Sequence, residues 1–219
     1  MVAPLRVLIV EDQTMIRELL ALACSQARPL DEIHEAGTGS TALKACRRRP
    51  PGLVILNLGL PDQDALSLLD DILGAAPLAK IVAVAGRMDE FTLHRALRSR
   101  AHVVIEKTEP LRVLHQAIAS VLQGQRFVSA TVQRLYASVR ADPSAFDKIL
   151  SAREQEVLRL AGDGLSNGQI ATVLGISLST SKHHRANVMS KLNIHSTREL
   201  IHYAIEKGFF SRKTECVAG

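Results

Sequence analysis

From Leu5 to about Leu122, short apolar runs alternate with stretches whose apolar residues recur every three or four positions. The runs are Leu5 to Val10, Glu32 to Ala36, Leu53 to Leu56, Ile81 to Ala85 and Val103 to Ile105. Between and after them lie Met15 to Ala23, Ala42 to Arg48, Ala65 to Leu73, Phe91 to Leu97 and Leu111 to Leu122, which read as amphipathic helices. Five such strand-helix repeats predict an α/β fold, a doubly wound five-stranded parallel sheet with helices on both faces. Arg47-Arg48-Arg49-Pro50-Pro51 reads as a helix end rather than a nucleic-acid patch, with cations at the negative dipole end and proline as the stop.

Gly124 and Asp142-Pro143-Ser144 bracket a polar, partly helical stretch, Thr131 to Arg140, expected to be the interdomain linker. Beyond it the period is purely helical. Three S-x-x-E/Q capping boxes, Ser151/Glu154, Ser166/Gln169 and Ser196/Glu199, each precede an apolar face. Gly162-Asp163-Gly164 and Gly175 supply the stops. An all-α domain of four short helices is predicted. The expected limits are 1–123 for the α/β domain, 124–147 for the linker, 148–212 for the helical domain and 213–219 for a flexible tail.

Within the helical domain, Ser166 to Leu192 has the spacing of a helix-turn-helix around Gly175. At 100° per residue, Ser181, Arg185, Val188 and Leu192 fall within roughly 60° of one another and should face the core. Ser179, Lys182, His183, Ala186 and Ser190 point the other way. That outer face carries no acid, so it can enter a major groove and bring donors to phosphates and base edges. The buried Ser181 hydroxyl is expected to bond the carbonyl of Ser177, one turn earlier.

Charge agrees with this placement. The chain has 219 residues and a net charge of +5. From Lys148 onward ten Lys/Arg stand against six Asp/Glu, so most of the excess lies in the helical third, which fits a polyanionic partner. Three cysteines at Cys24, Cys46 and Cys216 have neither metal spacing nor an even count for disulfides. The apolar runs are far too short to span a membrane, and Met1 leads into a strand pattern rather than a signal peptide. A reduced cytoplasmic protein is expected.

The stretch LSAREQEVLRLAGDGLSNGQIATVLGISLSTSKHHRANVMSKLNIHSTRELIHYA resembles the LuxR-type helix-turn-helix of the NarL/FixJ response regulators. The resemblance implies that Thr180, Lys182, His183 and Lys191 lie near double-stranded DNA. It also implies that the helix from Ser196 to Lys207, through Leu200, Ile201 and Ala204, pairs protomers into a homodimer, matching a two-half-site operator. Two departures stand out: Ser181 replaces the family's usual valine, and Ala186 sits where a basic or polar base reader is common.

The first domain resembles the receiver of the same family through VLIVEDQ, EAGTGSTAL, LVILNLGLPDQDAL, IVAVAG and VVIEK. Gly37-Thr38-Gly39 lacks the ending of a phosphate loop and matches a strand-helix turn of that fold. A receiver needs a carboxylate nucleophile, Mg²⁺-holding acids, and a lysine and hydroxyl for the new phosphoryl oxygens. The resemblance places Glu11, Asp12 and Lys107 at retained positions. Asn57 stands at the nucleophile, Ala85 at the hydroxyl and Val104 at the switch aromatic. An amide oxygen cannot form the acyl phosphate. With one ligand charge lost, Mg²⁺ at Glu11 and Asp12 should be weak, and Lys107 is expected to turn to Asp12.

His183-His184 are adjacent on a helix and cannot share one metal, and His195 and His202 read as a surface pair. No enzyme is expected, since no nucleophile accompanies Glu11 and Asp12. The expected function is a DNA-binding regulator with a pseudo-receiver, controlled by abundance, a partner protein or a small ligand in the former phosphate pocket. The alternative is an interaction protein that heterodimerises with related regulators and titrates them without productive DNA binding.

Overall fold

The computed structural model describes residues 5–27, 32–86 and 88–209. They fall into two compact units, the first within residues up to 88 and 92–135, the second within 89–91 and 136–209. The expected tail, 213–219, and Cys216 lie outside the described residues.

The first unit runs β1 (Arg6–Val10), α1 (Thr14–Ala27), β2 (Glu32–Ala36), α2 (Gly39–Arg48), β3 (Leu53–Asn57), α3 (Ala65–Ala75), β4 (Lys80–Ala85), α4 (Glu90–Arg98), β5 (Val103–Glu106), α5 (Leu111–Leu122) and β6 (Phe127–Val128). The strands form one parallel sheet in the order β2-β1-β3-β4-β5-β6. Alternation sends Val7, Ile9, Leu53, Ile55, Val82, Val84, Val103 and Ile105 to one face, where they pack on Ala23 and Cys24 of α1 and Leu114, Ala117, Ile118 and Val121 of α5. Leu8, Val10, Val54, Leu56, Ala83 and Val104, one register step away, are buried too, as a doubly covered sheet requires.

The sheet has six strands, not the expected five. Phe127 and Val128 pair with Val103 and Val104, so the start of the expected linker belongs to the sheet. Ser129 and Val132 are also buried. The turn at Gly37-Thr38-Gly39 opens α2, with Thr38 in a reciprocal capping box with Thr41. The arginine run is the end of that helix, as expected.

The second unit holds the remainder of α6 (Ala130–Ala141), then α7 (Phe146–Ile149), α8 (Ala152–Gly162), α9 (Asn167–Leu174), α10 (Leu178–Lys191) and α11 (Thr197–Lys207). Phe146, Val157, Leu158, Ile170, Val188, Leu200, Ala204 and Phe209 form its core, with Phe146 and Phe209 edge to face at 4.6 Å. A Cβ at Gly162 would meet the Phe209 carbonyl oxygen at 2.1 Å, so only glycine admits this close approach of α8 to the end of α11. The boxes at Ser151/Glu154 and Ser166/Gln169 close reciprocally. At α11 the box is incomplete: Ser196 caps Glu199, but the Glu199 carboxylate accepts from the His195 N–H instead.

Candidate functional site

In the second unit, α9 stops at Gly175, whose φ of +61° glycine adopts without strain. The Arg153 guanidinium donates to the Leu174 carbonyl at 2.8 Å and caps that helix end. Ser177 then starts α10 by accepting from the Thr180 N–H at 3.0 Å. Its hydroxyl also bonds those of Ser179 and Thr180, each at 2.8 Å, forming a small hydroxyl cluster at the helix start. The inner stripe is as expected: Ser181, Arg185 and Val188 are buried and Leu192 half-buried. Ser179, Lys182, His183, Ala186 and Ser190 are exposed together, and Thr180 is half-buried at their edge.

Four details differ from expectation or were missed. The Ser181 hydroxyl has no partner among the described residues; only its N–H bonds the Ser177 carbonyl. In this geometry the serine occupies an apolar place without compensation. Replacing Ser181 with Ala should therefore stabilise the helical domain by about 1–2 kcal/mol, from the relieved desolvation and better helix propensity. Slower amide exchange in α8 and α10 of the full chain would report it, and faster exchange would refute it.

Lys191 is exposed, but its ammonium is engaged with Glu154 at 2.7 Å. Glu154 is buried and also accepts from the Ser151 N–H at 2.8 Å. Burial pushes the Glu154 carboxyl up, yet Lys191 and the cap donors bring it below its usual range. Lys191 thus joins α10 to α8 while standing at the edge of the outer face. His183 shares a 3.2 Å hydrogen bond with Asn187, a neighbour one turn on that residue type alone did not single out. Of the expected pairing residues, Leu200 and Ala204 are fully buried in their own core and unavailable to a partner. Ile201, half-buried, and Ile205, 53% exposed, are the apolar residues α11 leaves open.

In the first unit the receiver-like positions meet at the C-terminal ends of β1, β3 and β5. Asn57 is buried, and its amide oxygen accepts from the Gly59 N–H at 3.0 Å. Its amide nitrogen donates to Asp12 Oδ1 at 2.8 Å and to Glu11 Oε1 at 3.3 Å. Lys107 pairs with Glu11 at 2.7 Å, not with Asp12 as expected. Asn57 bonds Glu11 through Oε1, and the ammonium takes the other oxygen, Oε2, of this fully buried carboxylate. Burial raises the Glu11 carboxyl above its usual range, against the pull of Lys107. The donor set does not suit Mg²⁺: amide hydrogens, rather than a carboxylate, face the two acids. Among the described residues no group of three or more His, Cys, Asp or Glu is arranged to hold a metal.

Other side chains brace the pocket without having been singled out. Arg17 donates to the carbonyls of Glu11 at 2.7 Å and Asp12 at 3.4 Å and pairs with Glu35. Glu106 accepts from the Met88 N–H at 2.8 Å, tying the end of β5 to the β4–α4 loop. Asp64 takes a two-pronged bond from Arg95 at 2.7 and 2.8 Å and caps α3. Burial opposes ionisation there, but Arg95 and Ser67 hold the Asp64 carboxyl down at about 2. Ala85 and Val104, both buried, offer neither hydroxyl nor aromatic ring. Burial pushes the thiols of Cys24 and Cys46 up to about 12 and about 11, so neither is a ready nucleophile.

The model for the response regulator receiver domain matches residues 7–119, over half of the chain. The chain belongs to the response-regulator family. Residues 148–204 of this regulator match the luxR family of bacterial regulatory proteins. The regulator is 30% identical to the fimbriae Z protein of Salmonella typhimurium, over 92% of its own length and 96% of that protein. It is 28% identical to the oxygen regulatory protein NreC of Staphylococcus epidermidis, covering 93% and 98%. A solved complex of the response regulator RcsB with DNA shares the fold, with a TM-score of 0.64, 22% identity and 93% and 98% coverage. Among the described residues no helix is long and apolar enough to cross a membrane.

Proposed function

We propose that this regulator is a cytoplasmic, sequence-specific DNA-binding transcription regulator, dimeric on its operator, whose receiver is not controlled by aspartyl phosphorylation. The observation that carries the second half is the Asn57 amide bridging Glu11 and Asp12. It removes the nucleophile and places a neutral donor between the acids that would otherwise hold a cation. Ala85 and Val104 remove the hydroxyl and ring that would carry a signal outward, and Glu106 holds the loop after β4. Control then falls to abundance, a partner protein or a small ligand at the receiver.

The first half rests on the exposed, acid-free face of Ser179, Lys182, His183 and Ala186, with Thr180 at its edge and Lys191 beyond. Within it, Lys182 is the side chain best suited to phosphate, and Ala186 offers only apolar contact to a base. RcsB, whose solved complex holds DNA, supports the same use of the fold. Protomer pairing through α11 is assigned to Ile201 and Ile205. The titrating alternative draws on Ser181, whose unpaired hydroxyl weakens the seat of the reading helix.

One experiment tests both halves. Binding of genomic fragments is measured across a salt series, with and without acetyl phosphate, for the wild type and Lys182→Ala. Site preference, a steep fall with salt, no response to the phosphodonor and at least tenfold weaker binding by Lys182→Ala are expected. Phosphate on the intact protein with a change in affinity would sink the pseudo-receiver. Salt-insensitive, unselective binding together with capture of a related regulator would favour titration.

A further inference from the structure

The receiver's charge is segregated along its strands. Between Leu5 and Ser129 the chain has 15 Lys/Arg and 14 Asp/Glu, so the domain is nearly neutral overall. The acids Glu11, Asp12, Asp62, Asp64, Glu106 and Glu109 gather where the strands end. At the other end, four of the six strands begin on or just after cations, while β2 opens on Glu32 and β3 on Leu53. Arg6 opens β1, Lys80 opens β4, Arg100 and His102 precede β5, and Arg126 precedes β6.

Backbone hydrogen bonds place them side by side. The Gly52 N–H donates to the Arg6 carbonyl at 3.0 Å, and the Lys80 N–H to the Gly52 carbonyl at 2.9 Å. The Ile81 N–H donates to the His102 ring at 3.1 Å, and the Phe127 N–H to the His102 carbonyl at 3.0 Å. From Arg6 on β1 to Arg126 beside β6 the row crosses four strand spacings, about 19 Å.

Local needs do not explain this row. Cations at a helix C-terminus answer the dipole, which accounts for Arg47 and Arg48 in the last turn of α2. Arg6, Lys80 and Arg126 begin strands and meet no such field. Arg6, Lys80 and Arg100 have no ion pair or side-chain hydrogen bond among the described residues. Arg126 donates only to the carbonyls of Ser99 and Ala101, at 3.3 and 3.0 Å, and keeps its charge. Glu32, which opens β2, is taken by Arg49 at 2.8 Å. Burial first, and then Lys80, Arg126 and Arg100, push the His102 ring below its usual range, as a concentrated positive field does.

We propose that this basic rim is a second, sequence-independent contact for the sugar-phosphate backbone of duplex DNA. The inference rests on the DNA-binding reading of the helical domain. A duplex carries about one charge per 1.7 Å of axis with both strands counted, or about one per 3.4 Å along one strand, so 19 Å of rim can follow roughly five or six phosphates of one strand. An acidic protein would be met through aromatic or apolar anchors, and along the row from Arg6 to Arg126 the large exposed apolar side chain among the described residues is Leu78. Tethering to the reading helix raises the effective concentration of neighbouring DNA, so weak contacts suffice.

The test uses the full chain and a mixed-sequence 40-base-pair duplex (about four turns), with affinity measured across a salt series. The triple variant Arg6→Gln, Lys80→Gln, Arg100→Gln should lower the salt slope by about 0.9 per lost contact, about 2.7 in all. The charge-preserving pair Arg6→Lys, Arg100→Lys should keep it. An unchanged slope in the triple variant, while wild type binds and Lys182→Ala weakens binding, overturns the rim and leaves the reading helix intact. An unchanged DNA slope with lost binding to polyglutamate assigns the rim to an acidic protein and overturns it too. No binding of the duplex by wild type overturns the DNA-binding reading and the rim with it.

Discussion

Asn57→Asp should make the receiver's stability depend on Mg²⁺ without making the regulator switchable. The substitution deletes the two amide donations to Asp12 and Glu11 and sets a third carboxylate among them. Glu11 is already fully buried and above its usual range. Lost donors and like-charge repulsion in a buried pocket should cost about 2–4 kcal/mol in chelator, a fall in the receiver's melting transition of roughly 10 °C. Millimolar Mg²⁺ should restore much of it, since a carboxylate now completes a hard-oxygen site. The deficit should also shrink in acid, where a protonated carboxyl donates as the amide did. Wild type should show no Mg²⁺ response. DNA affinity of the variant should stay indifferent to acetyl phosphate, because Ala85 and Val104 remain; phosphodonor-dependent dimerisation would refute this.

A second large effect is expected at Lys191→Met. Wild-type Glu154 lies below its usual range, so its share of stability is full above the unfolded value near 4.5 and fades as pH falls through the folded value. Without the ammonium at 2.7 Å, burial is the leading influence left on that carboxyl, opposed by the Ser151 N–H. The folded value should then rise, and the pH profile should invert: the variant should gain stability as it is acidified toward pH 4. Lys191 is 45% exposed, so solvent tempers the loss at neutral pH to about 1–2 kcal/mol. Amide exchange of α8 and α10 across pH 4 to 7 checks the inversion. Unaltered exchange with weakened DNA binding would instead make Lys191 a phosphate contact and not a brace.

Four strands were legible in the sequence because each is a largely buried apolar run, and the fifth, the mostly polar edge strand β2, from its place between two helical stretches. β6 was not, because Phe127-Val128 is too short for any period and gains its identity only from pairing with Val103 and Val104. The inner stripe of α10 followed from 100° spacing alone. On α11 the same reasoning pointed to an apolar face without saying whose core it fills; α8 covers Leu200 and Ala204 and leaves Ile205 open. The residue types at Asn57, Ala85 and Val104 announced lost chemistry, whereas the partner of Lys107 depended on which carboxylate oxygen the folded pocket leaves to it, here Glu11 Oε2. Ser181 shows the converse limit: a local carbonyl was within sequence reach, but the hydroxyl does not use it.

The amide of Asn57 also bears on timing. A phosphorylated aspartate carries its own clock, the lifetime of a labile acyl bond, and a response ends when that bond hydrolyses. An amide held by Gly59, Glu11 and Asp12 has no such clock. On the proposed reading, the duration of this regulator's output is set by how fast the protein is made, diluted and degraded. A pulse of input would then be remembered for about as long as the polypeptide survives.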